Sequence, residues 1–299
     1  MRAITITGYG PPSVLRVAEV EIGLPAARQI QVVVKFAGVG PTDLAIRAGH
    51  LDAVYPLRPG GILGFEAAGV VDTVGAEVDD VAPGDEVAVF LPGSLGGYAE
   101  RVNADFWVRK PATVPWRAAA ALPASGEAAI RVLKLLGLTE GETLLVLGGN
   151  GSVGAIATQL AVARGAKVIS AVRPSDFAAV AERGAAPIDY HQPLSDAVAG
   201  PVDAVLDASG RSDLEAAVTL AGGVTRVVSL SDPLAAQLGV TLSGPVEAGI
   251  PAALRDAMGQ VAAGTLALPE PTVVPLDQAA DVHTRLADGT LRGKVLLQP

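Results

Sequence analysis

The chain contains no cysteine, and that absence excludes disulfides, a thiolate nucleophile and any cysteine-ligated metal. Aromatic residues make up only 4% and methionine occurs twice, so its cores must be built from Ala, Val, Leu and Ile. No apolar run approaches the ~18 residues that span a bilayer. Met1-Arg-Ala-Ile leads directly into strand-like alternation without a secretory pattern, so a cytoplasmic location is the default. Positive charge is also scarce. Twenty-two Lys and Arg stand against 31 Asp and Glu, a net charge of −9, which excludes the basic footprint of nucleic-acid and acidic-membrane partners. With 299 residues, half of them hydrophobic and 18% charged, the chain has the make-up of a compact protein of about two domains.

The first 120 or so residues read as short β-type runs between Gly/Pro turns. Ala3–Thr7, Gln31–Phe36, Ala68–Asp72 and Asp85–Phe90 are examples, and Pro83-Gly84-Asp85 is a turn signal between two of them. A small barrel or sandwich is expected there. From Pro123 helix and strand alternate. A helix ends at Gly137, and strands are expected at 143–148, 167–172, 202–208, 225–230 and 240–243, which predicts a doubly wound parallel sheet. A helix over Pro251–Ala263 and a closing strand over Leu291–Leu297 complete the chain.

The richest stretch is Thr143-Leu-Leu-Val-Leu-Gly-Gly-Asn-Gly-Ser-Val-Gly154, a strand, a glycine turn and the start of a helix. It carries Gly149-x-Gly151-x-x-Gly154 in the strand–turn–helix setting that gives such glycines a function. Gly149 is expected to permit the tight turn, Gly151 the approach of backbone to a pyrophosphate, and Gly154 close packing of helix on strand. With Asn150, Ser152 and Val153 they form a candidate dinucleotide cradle, in which the helix start offers free N–H groups and a positive dipole end.

This order resembles the medium-chain dehydrogenase/reductase superfamily, closest to its zinc-free quinone oxidoreductase branch. The resemblance rests on Gly38-Val-Gly-Pro-Thr-Asp43, Gly64-Phe-Glu-Ala-Ala-Gly-Val-Val71, Val81-x-Pro-Gly-Asp-Glu-Val87, Gly97-Tyr-Ala-Glu100, the glycine turn and Gly293-Lys-Val-Leu296, and covers nearly the whole chain. It implies an α/β Rossmann domain over 123–265 that binds NADP. It also implies a GroES-like β-barrel catalytic domain formed by 1–122 with 266–299. A homodimer built through the strand Val240–Ser243 is a further implication.

In the zinc-dependent relatives a Cys stands at the position of Gly40 and a His at that of Phe65, so the metal is expected to be absent. Glu66 alone cannot supply the three protein ligands a catalytic zinc needs. The three histidines, His50, His191 and His283, are scattered and read as surface or loop residues. At the end of the second Rossmann strand, Ala171-Val172-Arg173-Pro174-Ser175 offers no carboxylate for a ribose 2′-hydroxyl. Arg173 could instead pair a 2′-phosphate and Ser175 add a donor, and Tyr190 matches a tyrosine that contacts this phosphate in NADPH-dependent relatives. NADPH is therefore favoured over NADH, although Asp176 is a poor neighbour for a phosphate. Solvated, capping and core roles for Arg173, Ser175 and Tyr190 respectively stay open.

The resemblance assigns Thr42 a hydroxyl near the reacting carbon, against a local alternative as a helix cap. Tyr55 and Tyr98 are further candidate donors, Tyr98 against an alternative of packing on the barrel, and Phe65 an apolar floor suited to a hydrophobic carbonyl or quinone substrate. Asp43 and Arg47 read as a structural pair. Polar groups common in quinone reductases are replaced by Gly40, Ala45 and Ala128, and Glu127 and Arg131 could compensate or could simply be exposed helix positions. The expected function is zinc-independent, NADPH-dependent hydride transfer to a quinone or α,β-unsaturated carbonyl. A natural-product tailoring enoyl reductase, or an NADPH-binding scaffold or sensor without turnover, are the alternatives.

Overall fold

The computed structural model describes residues Met1–Pro299. In chain order, the first elements are β1 (Arg2–Ile6), β2 (Leu15–Glu19), β3 (Ile30–Val39), α1 (Pro41–Ala48), β4 (Glu66–Val74), β5 (Glu86–Phe90), β6 (Arg101–Ala104), β7 (Phe106–Arg109), α2 (Trp116–Ala121) and α3 (Pro123–Leu136). Then follow β8 (Thr143–Leu147), α4 (Ser152–Ala163), β9 (Lys167–Val172), α5 (Phe177–Glu182), β10 (Ala186–Asp189), α6 (Leu194–Ala197), β11 (Ala204–Asp207), α7 (Leu214–Leu220), β12 (Val227–Ser229), α8 (Ala235–Leu238) and β13 (Thr241–Leu242). The chain closes with α9 (Ile250–Ala262), β14 (Thr272–Pro275), α10 (Ala279–Ala287) and β15 (Val295–Gln298).

Two compact units result. One combines Met1–Ala124 with Ile250–Pro299, and the other is Ser125–Gly249. The helix α9 packs against β7 and so lies with the first unit, whereas the sequence pattern placed residues up to 265 with the alternating segment. Periodicity identifies a helix but carries no information about which sheet its apolar face will cover.

In the first unit the strands follow the order β14-β15-β3-β4-β5-β7, with β6 on β3, while β1 and β2 form a separate antiparallel pair. This pairing path is open, ending at β14 and β7, and does not close on itself as a barrel would. The C-terminal segment is held by hydrogen bonding: β15 runs antiparallel to β3, with Val295 opposite Val39 and Leu297 opposite Ala37. Fully buried Ile30, Val32, Ala37, Val87, Val89, Val295 and Leu297 form the apolar interior of this sheet.

The second unit holds a six-stranded sheet, β10-β9-β8-β11-β12-β13, in which every neighbouring pair is parallel. Burial on both faces explains why its strands read as unbroken apolar runs: Leu144–Leu147 and Ala204–Leu206 have 0–1% exposure. The order reverses between β8 and β11, so the carboxyl ends of these two strands flank the crevice where doubly wound sheets take ligands.

Candidate functional site

At the carboxyl end of β8 the chain turns through Gly148 and Gly149 into α4. Gly148 has φ of +82°, the left-handed region, so the tight turn depends on Gly148 and not on Gly149 as the motif suggested. Gly149 serves close approach: a Cβ there would collide with the Ser170 side chain on β9. Gly154, on the first turn of α4, lies so near the Gly148 carbonyl and the Gly149 Cα that any side chain would overlap backbone. Gly151 is exposed and open except toward the Gly148 carbonyl, the condition a bound phosphate group requires. No side chain caps the start of α4, so its first amides remain for an anion. These residues fit a dinucleotide.

Across the crevice, at the end of β11, stands Asp207, which is fully buried. Its Oδ1 accepts from Ser209 N (3.0 Å), Ser209 Oγ (2.8 Å), Gly210 N (3.1 Å) and Ser212 Oγ (3.1 Å), and its Oδ2 from Ser229 Oγ (2.7 Å). One carboxylate thereby fixes the loops after β11 and β12. Ser209 in turn packs against Gly148, so the two sides of the crevice are held in register. Sequence reading passed over Asp207. Its signal was an acid ending a buried strand and followed by Ser-Gly-x-Ser, a pattern that invites a network of short-range hydrogen bonds.

The second-strand residues are partly brought together. Arg173 is engaged by Asp176, with Nε and Nη2 at 3.1 and 2.9 Å from one carboxylate oxygen. Ser175 is exposed and caps nothing, since α5 has no side-chain cap. Tyr190 is 51% exposed and so is not a core residue; its ring lies 4.1 Å from that of His191. Glu127 and Arg131, at 2% and 12% side-chain exposure, are not exposed helix positions either. They pair at 2.8 Å, and Arg131 also binds Ser243.

In the first unit, α1 begins at Gly40, whose amide is taken by the Asp43 carboxylate at 2.9 Å. That reciprocal cap frees Thr42: its half-buried hydroxyl caps nothing and makes no hydrogen bond. Phe65, 7% exposed, packs edge-on against Tyr55 at 5.1 Å and lies 5.9 Å from Phe90. Glu66, next along the chain, pairs with Lys294 and accepts the Ala124 amide at 2.8 Å. The expected Asp43–Arg47 pair does not form, because the Arg47 guanidinium turns to the Gly10 carbonyl.

Two further expectations are corrected. Tyr98 has no exposed surface and its hydroxyl lies 3.1 Å from His283 Nε2, so it cannot reach a substrate as donor. His283 is a fully buried residue of α10 and not a surface histidine. Burial, reinforced by the Arg47 charge, lowers its pKa to about 3. Burial raises Asp43 to about 7 despite the Gly40 amide and Lys294, which favour its charged form. Burial, with the Asp43 and Glu66 carboxylates, pushes Tyr98 well up.

One unit with a parallel sheet and a glycine-lined crevice and another, β-rich, with a Thr–Asp helix start are the features of a nucleotide-dependent oxidoreductase of the medium-chain type. Comparison with known proteins agrees. Residues 26–111 match the alcohol dehydrogenase GroES-like domain, and residues 165–297 match the zinc-binding dehydrogenase family. The chain is 30% identical to the chloroplastic NADPH-dependent alkenal/one oxidoreductase of Arabidopsis thaliana, over all of this chain and 80% of that protein. The quinone oxidoreductase of Coxiella burnetii superposes with a TM-score of 0.88 at 26% identity, covering 100% of this chain and 99% of that one. The Escherichia coli quinone oxidoreductase complexed with NADPH does so at 0.83 and 25% identity, with 100% of both chains covered. The chain belongs to the medium-chain dehydrogenase/reductase superfamily, in its quinone oxidoreductase-like branch, and is an oxidoreductase.

Proposed function

We propose that the protein is a zinc-independent, NADPH-dependent reductase of quinones or α,β-unsaturated carbonyls. The observation that carries this reading is the crevice at β8 and β11, where Gly149, Gly151 and Gly154 leave room for a diphosphate and the start of α4 lacks a side-chain cap. NADPH when bound supplies a hydride. The chain's part is to bind it, orient the acceptor and handle one proton. The Ser125–Gly249 unit is assigned the coenzyme, through Gly149 to Gly154 and through Arg173, Ser175 and Tyr190 for the 2′-phosphate. The GroES-like unit is assigned the acceptor.

Thr42 is the favoured hydroxyl for hydrogen bonding a developing oxyanion, because no helix-capping bond consumes it. Tyr55 and Phe65, stacked edge to face, supply an apolar wall for a hydrophobic acceptor. Zinc independence is supported by Gly40 and Phe65, which cannot ligate, and by the lack of any group of three convergent His, Asp or Glu side chains. No helix is long and apolar enough to cross a membrane. A homodimer is proposed through β13, an edge strand whose Leu242 is 56% exposed.

The test follows NADPH absorbance against a panel of quinones, enones and aldehydes. Oxidation by quinones or enones is expected. Tight NADPH binding with no turnover on any acceptor would replace this reading with that of a coenzyme-binding scaffold. An Arg173→Glu variant should weaken NADPH about tenfold more than NADH.

A further inference from the structure

The crevice has a cation that the glycine motif does not include. Arg183 closes α5, and its Nη1 donates to Asn150 Oδ1 at 2.7 Å. Asn150 lies between Gly149 and Gly151, so this bond places a guanidinium at the rim of the turn. Three of the other five arginines of the same unit are neutralised: Arg131 by Glu127, Arg173 by Asp176 and Arg226 by Glu142. Arg183 makes no ion pair. Its one side-chain partner is a neutral amide oxygen, which positions the group without cancelling its charge, and its other N–H donors are unspent.

A diphosphate needs this. The turn itself offers neutral amides and the roughly half-unit charge of a helix start, in a chain whose net charge is −9. Arg173 is compromised because Asp176 occupies two of its donors and faces any incoming phosphate with a negative charge. We propose that Arg183 is the principal phosphate-pairing residue of the coenzyme site, with Asn150 holding its guanidinium ready in the free protein. The inference rests on the coenzyme reading above and extends it by a residue outside the motif. The phosphate paired is either the 2′-phosphate of NADPH or the bridging diphosphate, and the planar fork suits both.

Fluorescence titration of the full chain with NADPH and with NADH tests it. Removing a charge-assisted hydrogen bond should raise the NADPH Kd about tenfold or more in Arg183→Ala, with Arg183→Lys intermediate. An NADH Kd that stays within twofold in Arg183→Ala assigns the 2′-phosphate; an equal rise for both coenzymes assigns the diphosphate. An NADPH Kd within twofold of wild type overturns the proposal. If Arg183→Ala is unfolded by circular dichroism, Arg183→Gln keeps a donor for Asn150 without the charge, and the same thresholds apply. Should wild type bind neither coenzyme, the coenzyme reading itself falls; should wild type bind and the variant bind equally, only the role of Arg183 does.

Discussion

The two units bury polar groups by opposite means. In the parallel-sheet unit Asp207 is surrounded by five donors, and its carboxylate has no unmet valence. In the β-rich unit Asp43 Oδ1, Arg47 Nε, Thr73 Oγ1 and His283 Nδ1 are buried without partners, and these are the protein's four such atoms. The contrast is one of design. A fully paired carboxylate rigidifies the rim of a binding crevice, whereas underpaired groups are left with shifted protonation equilibria. Asp43 near 7 and His283 near 3 are the consequence.

The sharpest way to break this comparison is Gly154→Val. Its Cβ must overlap the Gly148 carbonyl, so a loss of roughly 3 kcal/mol or more and abolished coenzyme binding are expected. A variant with wild-type melting and NADPH affinity would show that the turn is not tightly packed.

Next comes Asp43→Asn. The folded state raises Asp43 from 3.8 to about 7, so between those values it binds a proton that the unfolded chain has released. Wild-type stability from this group is therefore present at low pH and lost as pH rises toward 7, by at most about 4 kcal/mol for a three-unit shift. Asn cannot ionise, so the variant should gain on wild type as pH increases from 4 to 8. His283 acts with the opposite sign: its lowered pKa means stability is lost as pH falls from 6.5 toward 3, but it is common to both proteins and drops out of the difference. Melting curves at pH 4 and 8 whose difference stays constant would remove the claim that Asp43 is held near neutrality.

Asp207→Ala tests the other unit. With several donors left unpaired, a cost of roughly 3 kcal/mol is expected. A cost below about 1 kcal/mol would erase the distinction between the units. The smallest effect is reserved for Tyr98→Phe, which removes one hydrogen bond to His283 and should cost about 1 kcal/mol. Turnover on whichever acceptor proves active should remain within about threefold. A hundredfold fall in kcat would restore Tyr98 as a proton donor.

The sheet of the second unit was legible because its strands, buried on both faces, wrote themselves as apolar runs such as Leu144–Leu147 and Ala204–Leu206. The long strand β3 was foreshadowed by Gln31–Phe36, and the end of α3 by the glycine stop at Gly137. The short strands β2, β6, β7 and β14 were not separately visible, since four or five residues with one face exposed carry little periodic signal. The burial of Tyr98 and His283 was not legible for a common reason: an isolated polar residue has no pattern, and its burial depends on a partner 185 residues away.

What the linear chain determined by itself was local and repetitive: the alternation of strand and helix, the glycine spacing that a turn and a close contact demand, and the residue types that cannot ligate a metal. What only tertiary structure decided was which polar side chains meet across the chain. Arg183 against Asn150 and Lys294 against Glu66 join residues 33 and 228 positions apart. Such choices are settled by folding because a buried charge is stable only where a partner has been brought to it, and chain order does not encode that distance.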